Sequence, residues 1–200
     1  MTFTTIKAIA IPDGGVTAVS SGGVTLWKKS FGEYTFVGSI DVPAGTKLDT
    51  GLTCKSGDYF YVDFGMIVST AYGTIFYAGT SNNLRVYVDG TNLQLKIGWY
   101  NQNVATTSAG TRYTAAFEGQ IAYLNGVQKA SMAGVPAFTP DTNLMLGGLN
   151  NRWRLYGFKH GATADSLDLD CVPAVRNSDS VAGLYDNISK AFKPYGTATT

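Results

Sequence analysis

Short runs of β-forming residues, each closed by a Gly- or Asx-rich turn, recur along the whole chain at a spacing of about 8–12 residues. Leu84–Asp89 alternates apolar and polar with period two, turns at Asp89-Gly90, and alternates again over Leu93–Trp99. Asn125-Gly126 is a second hairpin signal, between Gln120–Leu124 and Val127–Met132. Further strands are expected over Tyr59–Val68 (apolar on both faces, hence central), Gly73–Ala78, Thr111–Phe117, Asn143–Leu149, Trp153–His160, Leu167–Val172, Val181–Asp186 and Ala191–Tyr195. Apolar residues do not repeat at 3.6-residue spacing over any long stretch; Asp165–Leu169 offers one helical turn at most. Composition agrees: 24 of 200 residues are Gly and 12 are Tyr, while Glu occurs only at Glu33 and Glu118. The pattern excludes a helical bundle and reads as an all-β sandwich or barrel.

The first thirty residues form a unit of their own. Strands over residues 3–11, Val16–Val19 and Val24–Lys28 are separated by Pro12-Asp13-Gly14-Gly15 and Ser20-Ser21-Gly22-Gly23. Three short strands are too few to stand alone, so residues 1–30 must pack on the rest of the chain, a second copy or a host assembly. The expected organisation is a small β module over 1–30 and one larger domain over 31–200.

Charge narrows the function. Lys and Arg number 15, Asp and Glu 14, and the charged fraction is 14% against about 25% in ordinary domains. A nucleic-acid reader carries a basic stripe, and this chain has no basic run beyond Lys28-Lys29. No apolar stretch approaches the roughly 20 residues that span a bilayer. The N-terminus lacks the pattern of a signal peptide, so the chain is expected to stay in the cytoplasm that makes it unless a released particle carries it out. Cys54 and Cys171 are expected as two small buried apolar residues.

Several segments resemble one family. Gly45-Thr-Lys-Leu-Asp-Thr-Gly-Leu52 looks like the I-D-T-G-I opening of the concanavalin A-like (laminin-G-like) jelly-roll domains of phage and prophage structural proteins. Gln120–Gln128 resembles their Y-x-N-G hairpin, and Leu144–Gly148 and Arg154–Lys159 resemble the strands that follow. Asp170–Asp186 resembles their D-x-V-P-x-x-R-x-S-D-x-V-x-G-L-Y-D ending, the most specific of these matches, and Ala191–Thr197 resembles the strand after it. Val16–Lys28 also resembles a short module ending in L-W found in phage tail and virion proteins. The resemblance implies a jelly-roll sandwich preceded by a small β module.

The ending also has a physical reading as a structural clasp. Pro173 is expected to end a strand, because it cannot donate to the next ladder bond. Arg176 and Asp179 are close enough to pair across a turn, with Asp186 or Asp170 sharing the Arg.

A glycosidase needs two carboxylates about 5–10 Å apart, and the chain has no Glu-x-Asp cluster. Asp168 and Asp170 share a strand face and are the one acid-pair candidate. His160, the only histidine, is expected to be solvent-exposed or hydrogen-bonded at a strand end. The expectation is therefore that the chain is not an enzyme and has no catalytic residues. No cofactor or metal-ligand set is read. The family resemblance leaves Ca2+ open through Asp63, Asp89, Asn92, Asp141 and Asn143.

Carbohydrate binding is the sharper expectation, because sugars stack on aromatic rings while Asn and Arg bond their hydroxyls. Two clusters have that make-up: Trp99-Tyr100-Asn101-Gln102-Asn103 and Asn150-Asn151-Arg152-Trp153-Arg154. The competing reading makes Trp99 and Trp153 core or subunit-contact residues. Exposure of the two rings separates these readings.

The function implied is a phage virion component (decoration, head-fibre or tail-associated), made in the bacterial cytoplasm and displayed on the particle. Residues 1–30 would contact other virion proteins, and the sandwich would offer a lectin-like surface to host or mucosal glycans. The resemblance to fibre-like proteins implies a homo-oligomer, with a trimer favoured. A cementing protein without ligand is the alternative, and a glycoside-active enzyme the third.

Overall fold

The computed structural model describes residues 7–10, 16–21, 24–28, 30–67, 72–79, 84–131, 134, 142–148 and 152–195, and of residues 7–31 the backbone alone. Among these residues every regular element is a strand, and every pairing is antiparallel. The first seven strands are β1 (Lys7–Ala10), β2 (Val16–Ser21), β3 (Val24–Lys28), β4 (Ser30–Phe31), β5 (Tyr34–Phe36), β6 (Ile40–Val42) and β7 (Lys47–Asp49). Next come β8 (Tyr59–Met66), β9 (Gly73–Ala78), β10 (Leu84–Asp89), β11 (Asn92–Ile97), β12 (Tyr100–Thr106), β13 (Arg112–Glu118) and β14 (Ile121–Leu124). The chain ends with β15 (Val127–Ser131), β16 (Met145–Gly147), β17 (Trp153–Thr163), β18 (Ser166–Arg176), β19 (Ala182–Asp186) and β20 (Phe192–Pro194). No helix among the described residues is long and apolar enough to cross a membrane.

β1, β2 and β3 pair in that order as a three-stranded sheet. A six-stranded sheet runs β12-β11-β10-β9-β16-β7. The largest sheet runs β15-β14-β13-β8-β17-β18-β19-β20, with β6 on β17 and β4-β5 on β18. Period-two alternation decides which residues each strand buries. On β8, Phe60, Val62 and Phe64 point inward, and on β13 Tyr113, Ala115 and Phe117 do. From the six-stranded sheet, Phe76, Val86, Leu95 and Leu146 join the same buried cluster.

Aromatic pairs join the two large sheets across their shared core. Phe76 of β9 lies 6.0 Å from Phe60, 5.9 Å from Phe117 and 6.2 Å from Phe158, all on the largest sheet. The molecule is thus a two-sheet β-sandwich over residues 32–195. Each fully buried Phe contributes about 1.5–3 kcal/mol through apolar burial.

Two irregularities steer the long strands. In β17 the register against β8 shifts between Leu155 and Gly157, leaving Tyr156 as an extra residue. The bulge switches the parity of the inward face, so Trp153 and Leu155 point inward before it and Phe158 and His160 after it. In β18, Pro173 does not end the strand as expected. β18 pairs with β17 through Cys171 and with β5 from Ala174 onward. Pro173 stands between the two partners, where its missing N–H breaks no ladder bond, and its carbonyl accepts from Val37 N at 3.1 Å. The helical turn weighed for Asp165–Leu169 is likewise replaced by strand from Ser166.

Both cysteines are free and buried. Burial, helped by the Asp58 charge, pushes the Cys54 thiol up to about 12. Burial, helped mainly by Asp186, pushes the Cys171 thiol up to about 12.

Candidate functional site

The first candidate cluster is the tip and outer strand of a hairpin. β11 and β12 close at the Ile97–Tyr100 pair, leaving Gly98-Trp99 as a two-residue turn. Gly98 takes the positive φ, 58°, that such a turn needs. The indole of Trp99 stands in solvent with 73% of its surface exposed, edge-on to Tyr100 at 6.1 Å. The next residues form strand β12. Alternation therefore splits them. Tyr100 leans on the core, and its hydroxyl donates to Gln102 Oε1 at 3.2 Å. Asn101 and Asn103 face outward beside Lys96 and Gln94 of β11.

β10 carries the pattern onward. Arg85 pairs with Lys96 and Tyr87 with Gln94, so both side chains rise from the outer face of the six-stranded sheet. Asn101 Nδ2 donates to Tyr87 Oη at 2.8 Å and to Gln94 Oε1 at 2.5 Å, and the Tyr87 hydroxyl donates to Gln94 Oε1 at 2.5 Å. Three strands are thereby tied side chain to side chain. Burial pushes the Tyr87 phenol up, against the lowering pull of Asn101 and Arg85, so it keeps its proton.

The guanidinium of Arg85 lies between two tyrosines, 4.3 Å from the ring centre of Tyr87 and 4.8 Å from that of Tyr72. Its Nε and Nη2 donate to Thr74 Oγ1 at 3.1 and 2.5 Å, and Nη1 donates to the Tyr72 hydroxyl at 2.5 Å. Sequence reading missed Tyr72, Thr74, Arg85, Tyr87 and Gln94. The signal was there for three of them: the alternation in Leu84–Asp89 and Leu93–Trp99, folded at Asp89-Gly90, puts Arg85, Tyr87 and Gln94 on one face.

The second cluster does not form a sugar platform. Trp153 is wholly enclosed and meets Phe64 edge-on at 6.3 Å, so its ring offers no face to a ligand. Arg152 is exposed, Arg154 pairs with Asp41 at 2.6 Å, and Asn150 and Asn151 lie outside the described residues.

The expected clasp is two separate devices. Arg176 grips Asp179 through Nε and Nη2 at 3.1 and 2.7 Å. Asp186 does not share that Arg. It accepts the amides of Asp170, Ile188 and Ser189 at 3.0, 3.1 and 3.0 Å, and the Ser189 hydroxyl. Burial pushes the Asp186 carboxyl up, and these hydrogen bonds, led by Ser189, outweigh it and hold the group below the usual carboxylate range. Asp170 pairs with Lys159 Nζ at 3.4 Å.

His160 is buried, not solvent-exposed, with Nδ1 2.6 Å from Asp168 and Nε2 3.2 Å from Asp58. Asp168 and Asp170 thus engage different partners. Among the calcium candidates, Asp63 is held by Arg112 Nε at 2.7 Å, and Asp141 lies outside the described residues. Among the described residues no three His, Cys, Asp or Glu side chains gather as a metal site.

No family model matches the chain, and no curated protein matches it. Among solved structures the chain is similar to Trypanosoma rangeli sialidase, at 11% identity and a TM-score of 0.45, over 65% of this chain and 27% of that one. That protein is named as an enzyme, so the expectation that this chain is not one is withdrawn. A likeness at this level carries no argument for any activity of this chain. The concanavalin A-like resemblance rests on the sequence motifs alone.

Proposed function

We propose that this chain is a phage or prophage virion component, a decoration, head-fibre or tail-associated protein, whose sandwich is a jelly roll that binds a glycan. The virion part of this reading is supported by the motif over Asp170–Asp186 and by the module-like Val16–Lys28. The binding part is carried by one observation: the exposed ring of Trp99 stands at a hairpin tip, two residues before the outward-facing Asn101. A flat apolar ring beside fixed amides suits a sugar, whose ring faces are apolar and whose edge carries hydroxyls. Residues 1–30 anchor the chain to other virion proteins, and the particle carries a homo-oligomer, a trimer in this reading.

A glycan array probed with the full chain and with Trp99→Ala tests the binding. The expected result is a defined set of bound glycans whose signal falls about tenfold or more in the variant, at unchanged thermal stability. Undiminished binding by a folded Trp99→Ala overturns the assignment. Trp99 buried between copies, seen as protection of its indole in the oligomer, supports the cementing alternative.

A further inference from the structure

Arg85 differs from the other paired arginines. Arg112, Arg154 and Arg176 sit at the surface, with 57%, 43% and 35% of their side chains exposed, and each holds an aspartate. Arg85 is only 7% exposed, and no carboxylate pairs with it among the described residues. A guanidinium taken out of water loses its hydration and is ordinarily compensated by an anion. The two tyrosine rings offset part of that loss through their π-faces. The acceptors it does hold are neutral hydroxyls, Thr74 Oγ1 and Tyr72 Oη. These take three of its five N–H donors, and two find no acceptor among the described residues. Tyr72, 42% exposed, is the more exposed of the two rings, and Tyr87 is 8% exposed.

The side chains around this cation are polar: Thr74, Tyr87 and Gln94 are buried with it. Tyr87, Gln94 and Asn101 fix one another by hydrogen bonds, and Trp99 projects beyond them. Resting on the glycan reading above, we propose that the ligand of this face is an acidic saccharide, whose carboxylate docks on the free donors of Arg85 while its ring reaches toward Trp99. A planar carboxylate fits two adjacent N–H donors and supplies the missing countercharge.

The test uses the full chain and a printed panel of glycans ending in uronic or nonulosonic acids, each beside its carboxyl-reduced counterpart. The expected result is a preference of about tenfold or more for the acid over its reduced form, weakened by added salt. Arg85→Gln is expected to erase the preference while leaving binding of the reduced form. Tyr72→Phe keeps the ring, removes an acceptor of Arg85, and is expected to keep the preference. Equal binding of acid and reduced forms by the wild-type chain overturns the proposal but leaves the glycan reading standing, as does a preference that survives in a folded Arg85→Gln. If Arg85→Gln does not fold, the wild-type comparison of each glycan pair decides alone. Binding of no glycan on the panel or on the neutral array overturns both.

Discussion

Trp99 and Trp153 look alike in the sequence, each close to amide side chains, yet one ring stands in water and the other at the centre of the sandwich. Their substitutions should therefore behave oppositely. Trp153→Ala removes a fully enclosed indole and is expected to cost about 3–5 kcal/mol in urea unfolding. Trp99→Ala is expected to stay within about 0.5 kcal/mol of wild type. A Trp153→Ala protein as stable as wild type contradicts the packing described. The cysteines give a second residue-scale expectation. With both thiols buried and pushed up to about 12, native protein at neutral pH should resist alkylation and react only on unfolding. Rapid labelling of either thiol in the folded chain contradicts this. What separated the two tryptophans was not legible locally. Trp99 follows Gly98, whose positive φ makes the turn, whereas the inward side of Trp153 is set by its pairing with β6 and β8.

At the scale of elements, the strands with plain alternation and Asx-Gly turns were legible from sequence, and β9 and β10 match their expected bounds residue for residue. β12 was not, because Tyr100-Asn-Gln-Asn103 is polar at positions that an edge strand leaves to solvent. The β17 bulge was not legible either, since an extra residue is defined by a partner strand and not by local pattern. The β19–β20 hairpin depends on Asp186, whose carboxylate caps the turn through the amides of Ile188 and Ser189 and also accepts the Asp170 amide of β18. Its folded pKa is depressed, so its contribution is present above the unfolded value of about 3.9 and is lost as pH falls through the lower folded value. Thermal melts of wild type should therefore drop at acid pH, and Asp186→Asn should flatten that part of the profile at a lower plateau. An unchanged acid profile in Asp186→Asn contradicts the capping role. Gly147 makes a similar local demand: at φ 90° an added Cβ meets the Thr46 carbonyl oxygen, so Gly147→Ala should destabilise the β16–β7 edge.

For the whole molecule, all-β architecture with paired antiparallel sheets was readable from composition and turn spacing, because each strand run advertises its own period. Which sheet a strand joins was not, since that is settled by long-range pairs such as Phe76 with Phe60, Phe117 and Phe158. The low charge of the chain, 14%, suits surfaces that pack against other copies. The assembly proposal predicts a trimer by light scattering at micromolar concentration; a stable monomer contradicts it. The ligand proposal has a more direct readout in the molecule itself. Among the described side chains Trp99 is the exposed indole and Trp153 the enclosed one, so a sugar stacked on the hairpin tip removes Trp99 from water and leaves Trp153 as it is. Titrating the full chain with its best array glycan should shift tryptophan emission to shorter wavelength with saturation, and Trp99→Phe should abolish the shift. Emission that stays unchanged at saturating glycan, or a shift that persists in Trp99→Phe, contradicts the account.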